Sequence, residues 1–148
     1  MSRAFNFHPI TDDSVLGGKE IERSLRFDNG DGAHLTRDHA VAGNKKQWTF
    51  SCWIKRSALG GSGFGAGDVR IFGGDTNASH IYISSGELLV WDMSDGSGTD
   101  ASLVTNRMFR DHVNWFHLVC ALDTDESTAN NRMRMYINGV EETDFDTR

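Results

Sequence analysis

The chain has little proline, little cysteine and no long apolar stretch. A single proline, Pro9, stands against sixteen glycines in 148 residues, so glycine-rich turns punctuate the chain, as in all-β proteins. No run of about eighteen apolar residues exists, the least that a membrane-spanning helix needs. The N-terminal stretch MSRAFNFHPITDD has no apolar segment followed by a small-residue cleavage site, so a signal peptide is not expected. The two cysteines, Cys52 and Cys120, have neither metal-ligand spacing nor the density of a disulfide scaffold. Each lies in an alternating apolar run (FSCWI and LVCAL), where cysteine acts as a small buried hydrophobe, and a bond between them across a sandwich core is an open alternative. Basic residues are few and scattered, with a net charge of −6. Nucleic-acid binding, which requires a concentrated basic face, is therefore not expected.

What is present is strand alternation. Apolar residues make up 38% of the chain, with nine Phe and four Trp, enough for a real core at this length. QWTFSCWIKRS (47–57) sets Trp48, Phe50, Cys52 and Ile54 on one face and Thr49, Ser51, Trp53 and Lys55 on the other. WFHLVCALD (115–123) does the same with Phe116, Leu118, Cys120 and Leu122. Weaker strands are expected at SLRF (24–27), AHLTR (33–37), VRIFGG (69–74), HIYISS (80–85), ELLVWDM (87–93) and ASLVTNR (101–107). MFRDHVN (108–114) is expected to make one helical turn. RMRMYINGVEETDF closes with a hairpin, because Asn138-Gly139 sits between alternating runs. The glycine-rich ALGGSGFGAGD (58–68) reads as a loop. Short strands with no amphipathic helix predict an antiparallel two-sheet sandwich over residues 24–148. Residues 1–23 lack periodicity and read either as a floppy terminus or as an extended N-terminal arm that orders on a partner, with Phe5, Phe7 and Ile10 as its anchors; the arm is the reading carried forward.

The segments SLRFDNGDGAHLTRDHAVAGNKKQWTFSCWIKRS, NWFHLVCALD and RMRMYINGVEETDF, in that order, resemble the laminin-G-like, concanavalin-A-like lectin/glucanase jelly-roll domains. The resemblance covers about residues 24–146 and is closest to tail-fibre and other virion proteins of phages, many from marine and cyanobacterial hosts. It implies an all-β jelly roll. Domains of this family continue after the YINGV hairpin with further strands, so the resemblance also implies a sandwich incomplete at its C-terminal end. Continuation of the chain, a reduced fold or completion by a neighbouring subunit would each account for that.

Glucanases of this fold carry Glu-x-Asp-x-x-Glu on one strand, placing two carboxylates beside the sugar bond. Here GELLVWDMSDG offers Glu87 and Asp92, five apart and on opposite faces, with no third acid. No enzyme activity and no catalytic residue are expected. His80, His112 and His117 are scattered, and His117 is expected to make a structural hydrogen bond. Laminin-G-like domains often hold calcium, and the resemblance makes Asp95, Asp100, Asp123, Asp125 and Glu126 candidate oxygen donors, although neither loop has the spacing of a dedicated ion loop. No other cofactor is expected. Among Trp53, Trp91 and Trp115, Trp91 is the first candidate for stacking on a glycan, since it adjoins Asp92 near a glycine-rich turn; all three also suit a core.

The resulting expectation is a phage virion structural protein, synthesised in the host cytoplasm, with other virion proteins as partners. Within that class it reads as a tail-fibre or tail-associated component that docks through its arm and sandwich. It would be a homo-oligomer, with a trimer the family habit, although no heptad pattern marks one. A carbohydrate-binding adhesion module with a surface glycan as ligand, and a head-decoration (cement) protein, are the alternatives.

Overall fold

The computed structural model describes residues 23–27, 32–38, 40–57, 68–73, 79–94 and 99–148. The chain divides into two units, 1–35 and 36–148. In the first, the described residues carry no strand, and Leu25, Phe27 and Leu35 are exposed. The strands expected at 24–27 and 33–37 therefore do not form. Alternation over four or five residues needs a neighbouring strand to pair its amides and bury one face, and these segments have neither.

The second unit is a sandwich of two antiparallel sheets. Its strands are β1 (Gln47–Ile54), β2 (Val69–Gly73), β3 (His80–Ile83), β4 (Leu88–Met93), β5 (Ala101–Met108), β6 (Phe116–Asp123), β7 (Met133–Ile137), β8 (Val140–Glu141) and β9 (Phe145–Thr147). One sheet has the order β1-β6-β7-β8 and the other β2-β3-β4-β5-β9. The two long alternating runs pair with each other, Trp48 opposite Leu122 and Cys52 opposite Leu118. Both therefore turn their apolar sets to the same side, as period-two alternation requires. Leu118, Cys120, Met135 and Ile137 on one sheet meet Ile81, Ile83, Leu89, Trp91 and Leu103 on the other in a single buried cluster. Burying each large side chain contributes roughly 1.5–3 kcal/mol.

At one flank β1 meets β2. Phe50 stacks on Phe72 with ring centroids 4.6 Å apart, and Trp48 reaches Trp91 at 5.4 Å. The two cysteines do not face each other across the core. Cys52 pairs with Leu118 and Cys120 with Phe50, so they are diagonal neighbours on adjacent strands, roughly 7–8 Å apart between Cα atoms. That is beyond ordinary disulfide reach, and both are free thiols. Burial pushes Cys52 up to about 11 and Cys120 up to about 12.

Three local features set the rest. Asn138 and Gly139 both have positive φ (52° and 79°), the pair of left-handed residues that a two-residue hairpin turn requires. The helical turn expected at 108–114 is absent. Met108 still belongs to β5, and the Asp111 carboxylate accepts hydrogen bonds from the amides of Val113 and Asn114 at 2.8 and 3.0 Å, drawing the backbone into a bend. Between β3 and β4 the chain turns through Ser85, Gly86 and Glu87, and the left-handed residue is Glu87 (φ 66°), not Gly86. A non-glycine there costs about 1–3 kcal/mol. The compensation is an ion pair: the buried Glu87 carboxylate accepts from the buried Arg56 guanidinium, which also donates to the Phe109 carbonyl. Arg56 follows β1, while Glu87 and Phe109 flank β4 and β5, so this clasp ties one sheet to the other.

Candidate functional site

Each sheet has one face turned away from the core, and the two differ. On the four-stranded sheet, alternation places Gln47, Thr49, Ser51 and Trp53 of β1 outward, beside Asp123, Ala121, Val119 and His117 of β6 and Arg134 and Tyr136 of β7. The register sets Thr49 opposite Ala121 and Ala121 opposite Arg134; a second row runs Ser51, Val119, Tyr136, Glu141. From Gln47 to Trp53 this face is about 20 Å long at the usual strand rise.

At one end stands an aromatic platform. Trp53 is 48% exposed and lies nearly parallel to the His117 ring, 5.0 Å between centroids and 21° between planes. The His117 Nε2 and Ser51 Oγ are hydrogen-bonded at 2.8 Å, which fixes the imidazole under the indole. His117 thus has the structural hydrogen bond expected of it. Trp115, also half-exposed, precedes β6 on the same side by alternation.

At the other end is a shallow cleft of about 490 Å³, lined by Gln47, Thr49, Asp123, Asn131, Arg134 and Tyr136 among others. Its floor is the polar side of strands whose other side is core. The Asp123 carboxylate accepts from Gln47 Nε2 at 3.0 Å and from the Asp125 amide at 3.1 Å. Glu126, also in the lining, accepts from the Thr128 amide and the Ser127 hydroxyl, both at 3.1 Å. Those bonds, the Thr128 amide first, hold its carboxyl below the usual range. Arg134 Nε is sealed from water and has no hydrogen-bond partner.

The outward side of the five-stranded sheet is closed upon itself. Asp92 accepts from Ser102 Oγ at 2.6 Å and Tyr82 Oη at 3.0 Å, and Arg70 donates to His80 at 3.2 Å. Burial first, and then the Asp92 charge, push the Tyr82 hydroxyl up to about 12.

Several residues singled out in the sequence have other places than expected. Trp91 is fully buried between the sheets, so no sugar ring reaches it from solvent; the alternation that puts Asp92 outward turns Trp91 inward, against Trp48. Its indole N–H has no partner. Of the three tryptophans, Trp53 and Trp115 are the exposed ones. Glu87 and Asp92 do not converge: five strand positions separate them by roughly 16 Å, whereas the carboxyl pair of a glycosidase stands about 5–10 Å apart. Asp125 pairs with Lys46 at 3.5 Å. Among the described residues no three carboxylate, imidazole or thiolate side chains gather to hold a metal. Phe5, Phe7, Ile10, Asp95 and most of the glycine-rich stretch lie outside the described residues.

Arg134 and Tyr136 did not stand out as site residues in the sequence. Their signal was the alternation RMRMYI, which turns them away from Met133, Met135 and Ile137; that the arginine has no partner depends on which strands lie beside it.

The sequence model of the laminin G family described as the concanavalin A-like lectin/glucanases superfamily matches residues 27–147. Comparison with curated proteins and with solved structures gives no match.

Proposed function

Since this chain belongs to the concanavalin A-like lectin/glucanases superfamily, we propose that it is a non-enzymatic adhesion component of a phage particle, of the tail-fibre or tail-associated kind, holding a surface glycan against the outer face of its four-stranded sheet. One observation carries the glycan reading: Trp53 is half-exposed, backed flat by His117, and heads a face of polar side chains. A pyranose presents an apolar ring face and a polar rim, and a held indole beside hydroxyl, amide and guanidinium groups answers both. The particle setting is supported by the resemblance of the three sequence segments to virion proteins. A non-catalytic role is supported by Glu87 and Asp92, each engaged within the fold and far from the other.

A head-decoration protein is the second reading, and a specific observation favours it. Val69 and Phe72 of β2 are exposed at the flank where Trp48 and Phe50 are only partly covered, which suits lateral packing on neighbouring subunits.

The test is a glycan array read with the wild type and Trp53→Ala, together with mass spectrometry of purified particles. Glycan binding that falls at least about tenfold on removing the indole is expected, with the chain found in particles. A silent array, or binding unchanged in Trp53→Ala, would overturn the glycan reading. Absence of the chain from particles would overturn the virion reading.

A further inference from the structure

The sandwich has four strand edges, and one of them is unprotected. β8 and β9 are two and three residues long, and β2, of five, loses its register between Arg70 and Phe72. Shortness and bulges both discourage pairing with another chain. β1 is eight residues of unbroken register, with no proline and no charged side chain from Gln47 to Ile54. It is bonded to β6, and among the described residues no strand lies on its other side. The Lys46 carbonyl accepts from the Thr124 amide at 2.9 Å, which sets the phase of the ladder. Alternation then gives the amides and carbonyls of Trp48, Phe50, Cys52 and Ile54 to β6 and turns those of Gln47, Thr49, Ser51 and Trp53 toward the free edge.

The flank behind this edge is apolar in both layers. Leu118, Cys120 and Leu122 of β6 and Met133, Met135 and Ile137 of β7 are buried, whereas the same inward set on β1, Trp48, Phe50, Cys52 and Ile54, is only partly covered. On the other sheet Val69 and Phe72 stand opposite Ile83 and Ile81, on the inward side of β2, yet are 38% and 48% exposed. The two layers meet here, with Phe72 in ring contact with Phe50 and Trp48. A single added strand would extend one sheet and leave the other open. An occupant two sheets thick covers both, and a second copy of this flank has that shape.

We propose that the chain forms a two-fold dimer in which β1 pairs antiparallel with β1 of a second copy, joining the two four-stranded sheets into one of eight strands. The inference stands apart from the glycan reading and does not depend on it. With Ser51 on the axis, Phe50 faces the partner's Cys52 and Trp48 the partner's Ile54, apolar against apolar on the inward side. On the outward side Thr49 faces the partner's Trp53 and Gln47 the partner's Lys55. These outward positions are the ones whose amides and carbonyls point to the edge, so the free groups of one copy meet those of the other. Charge agrees with this register. Lys55 is exposed and belongs to none of the ion pairs among the described residues. Across the join it lies beyond Gln47 from Asp123, whose bonds with Gln47 Nε2 and the Asp125 amide both fall on Oδ1. Two strand spacings, roughly 10 Å between Cα atoms, are closed by an extended lysine and an aspartate, once in each direction by symmetry. An axis normal to the sheets also brings the two β2 strands, with Val69 and Phe72, to the same seam. The two Trp53 platforms then share one face, four strand positions or roughly 14 Å apart.

Sedimentation equilibrium of the full chain, joined to amide exchange resolved to single residues, tests the inference. The wild type is expected to sediment as a dimer that dissociates on dilution. In the dimer the amides of Thr49, Ser51 and Trp53 should exchange at least about tenfold more slowly than in the diluted monomer. Those of Trp48, Phe50 and Cys52, already bonded to β6, should change less. Ser51→Pro removes the amide on the axis without removing a backbone bond to β6 and should weaken the dimer at least about tenfold. Phe72→Lys should weaken it in the same direction from the other layer, and it decides the matter if the proline variant fails to fold. A chain that is monomeric at every concentration overturns the inference. So does an assembly of any order in which the amides of Thr49, Ser51 and Trp53 exchange as freely as in the monomer, or a dimer unweakened by both substitutions.

Discussion

The outward faces of the two sheets both bond many of their polar groups within the fold, Ser51 to His117 and Gln47 to Asp123 on one, Ser102 and Tyr82 to Asp92 on the other, and differ in what they leave open. On the five-stranded sheet Asp92 is bound by Ser102 and Tyr82, Arg70 reaches His80, and Val90 beside them is buried. On the four-stranded sheet Trp53 lies open on His117, and Arg134 has a sheltered nitrogen with no acceptor. What separates them is the half-exposed indole of Trp53, held flat on His117 on one face only. The saturated five-stranded face stabilises the sandwich; the open indole on the other has apolar area to bury against a ligand.

Substitutions that exchange these roles would break the comparison. The largest effect should come from the clasp between the sheets. Glu87→Ala strands the buried Arg56 charge and should cost about 3–5 kcal/mol of unfolding free energy, read by chemical denaturation; a loss below about 1 kcal/mol would show that the pair does not hold the sheets. On the saturated face, Asp92→Ala leaves two hydroxyls without their acceptor and should cost about 1–3 kcal/mol while glycan affinity is unchanged.

The same network sets an alkaline limit. The Tyr82 hydroxyl is raised to about 12 in the folded chain from an ordinary 10. The folded state therefore holds that proton more tightly, and the resulting stability is complete below pH 10 and lost as the pH rises from about 10 to about 12. Cys52 and Cys120, raised from 9 to about 11 and 12, act in the same direction from pH 9 upward. Melting temperatures measured across that window should fall less steeply in Tyr82→Phe than in the wild type. An identical slope would mean that the hydroxyl titrates as freely as in an unfolded chain. The smallest stability change should come from the open face, where Arg134→Gln is expected to stay within about 0.5 kcal/mol of the wild type. A loss as large as that of Asp92→Ala would make Arg134 a structural residue and erase the difference between the faces.

The long alternating runs made the fold legible. Eight-residue strands such as 47–54 and 116–123 declare their inward set unambiguously, and Asn138-Gly139 declares the hairpin. Segments of four or five residues did not suffice, as 24–27 and 33–37 show, because pairing depends on a neighbour the local sequence does not name. The site was half legible. Alternation alone turned Trp53, Arg134 and Tyr136 outward, but the choice of Trp91 followed its chemical neighbours (Asp92 and a glycine-rich turn) over its parity, and parity decided. The ion pair of Arg56 with Glu87, 31 positions apart, has no sequence signal, since it depends on how the two sheets meet.

The most direct test of the account is an NMR titration of the isotope-labelled chain with the oligosaccharide probe it binds. The account predicts that perturbed amides fall in residues 47–53, 117–123 and 134–136, strongest near Trp53, while those of β3, β4 and β5 stay still. Perturbations centred on His80, Tyr82, Asp92 and Ser102 would place the ligand on the saturated face and contradict it.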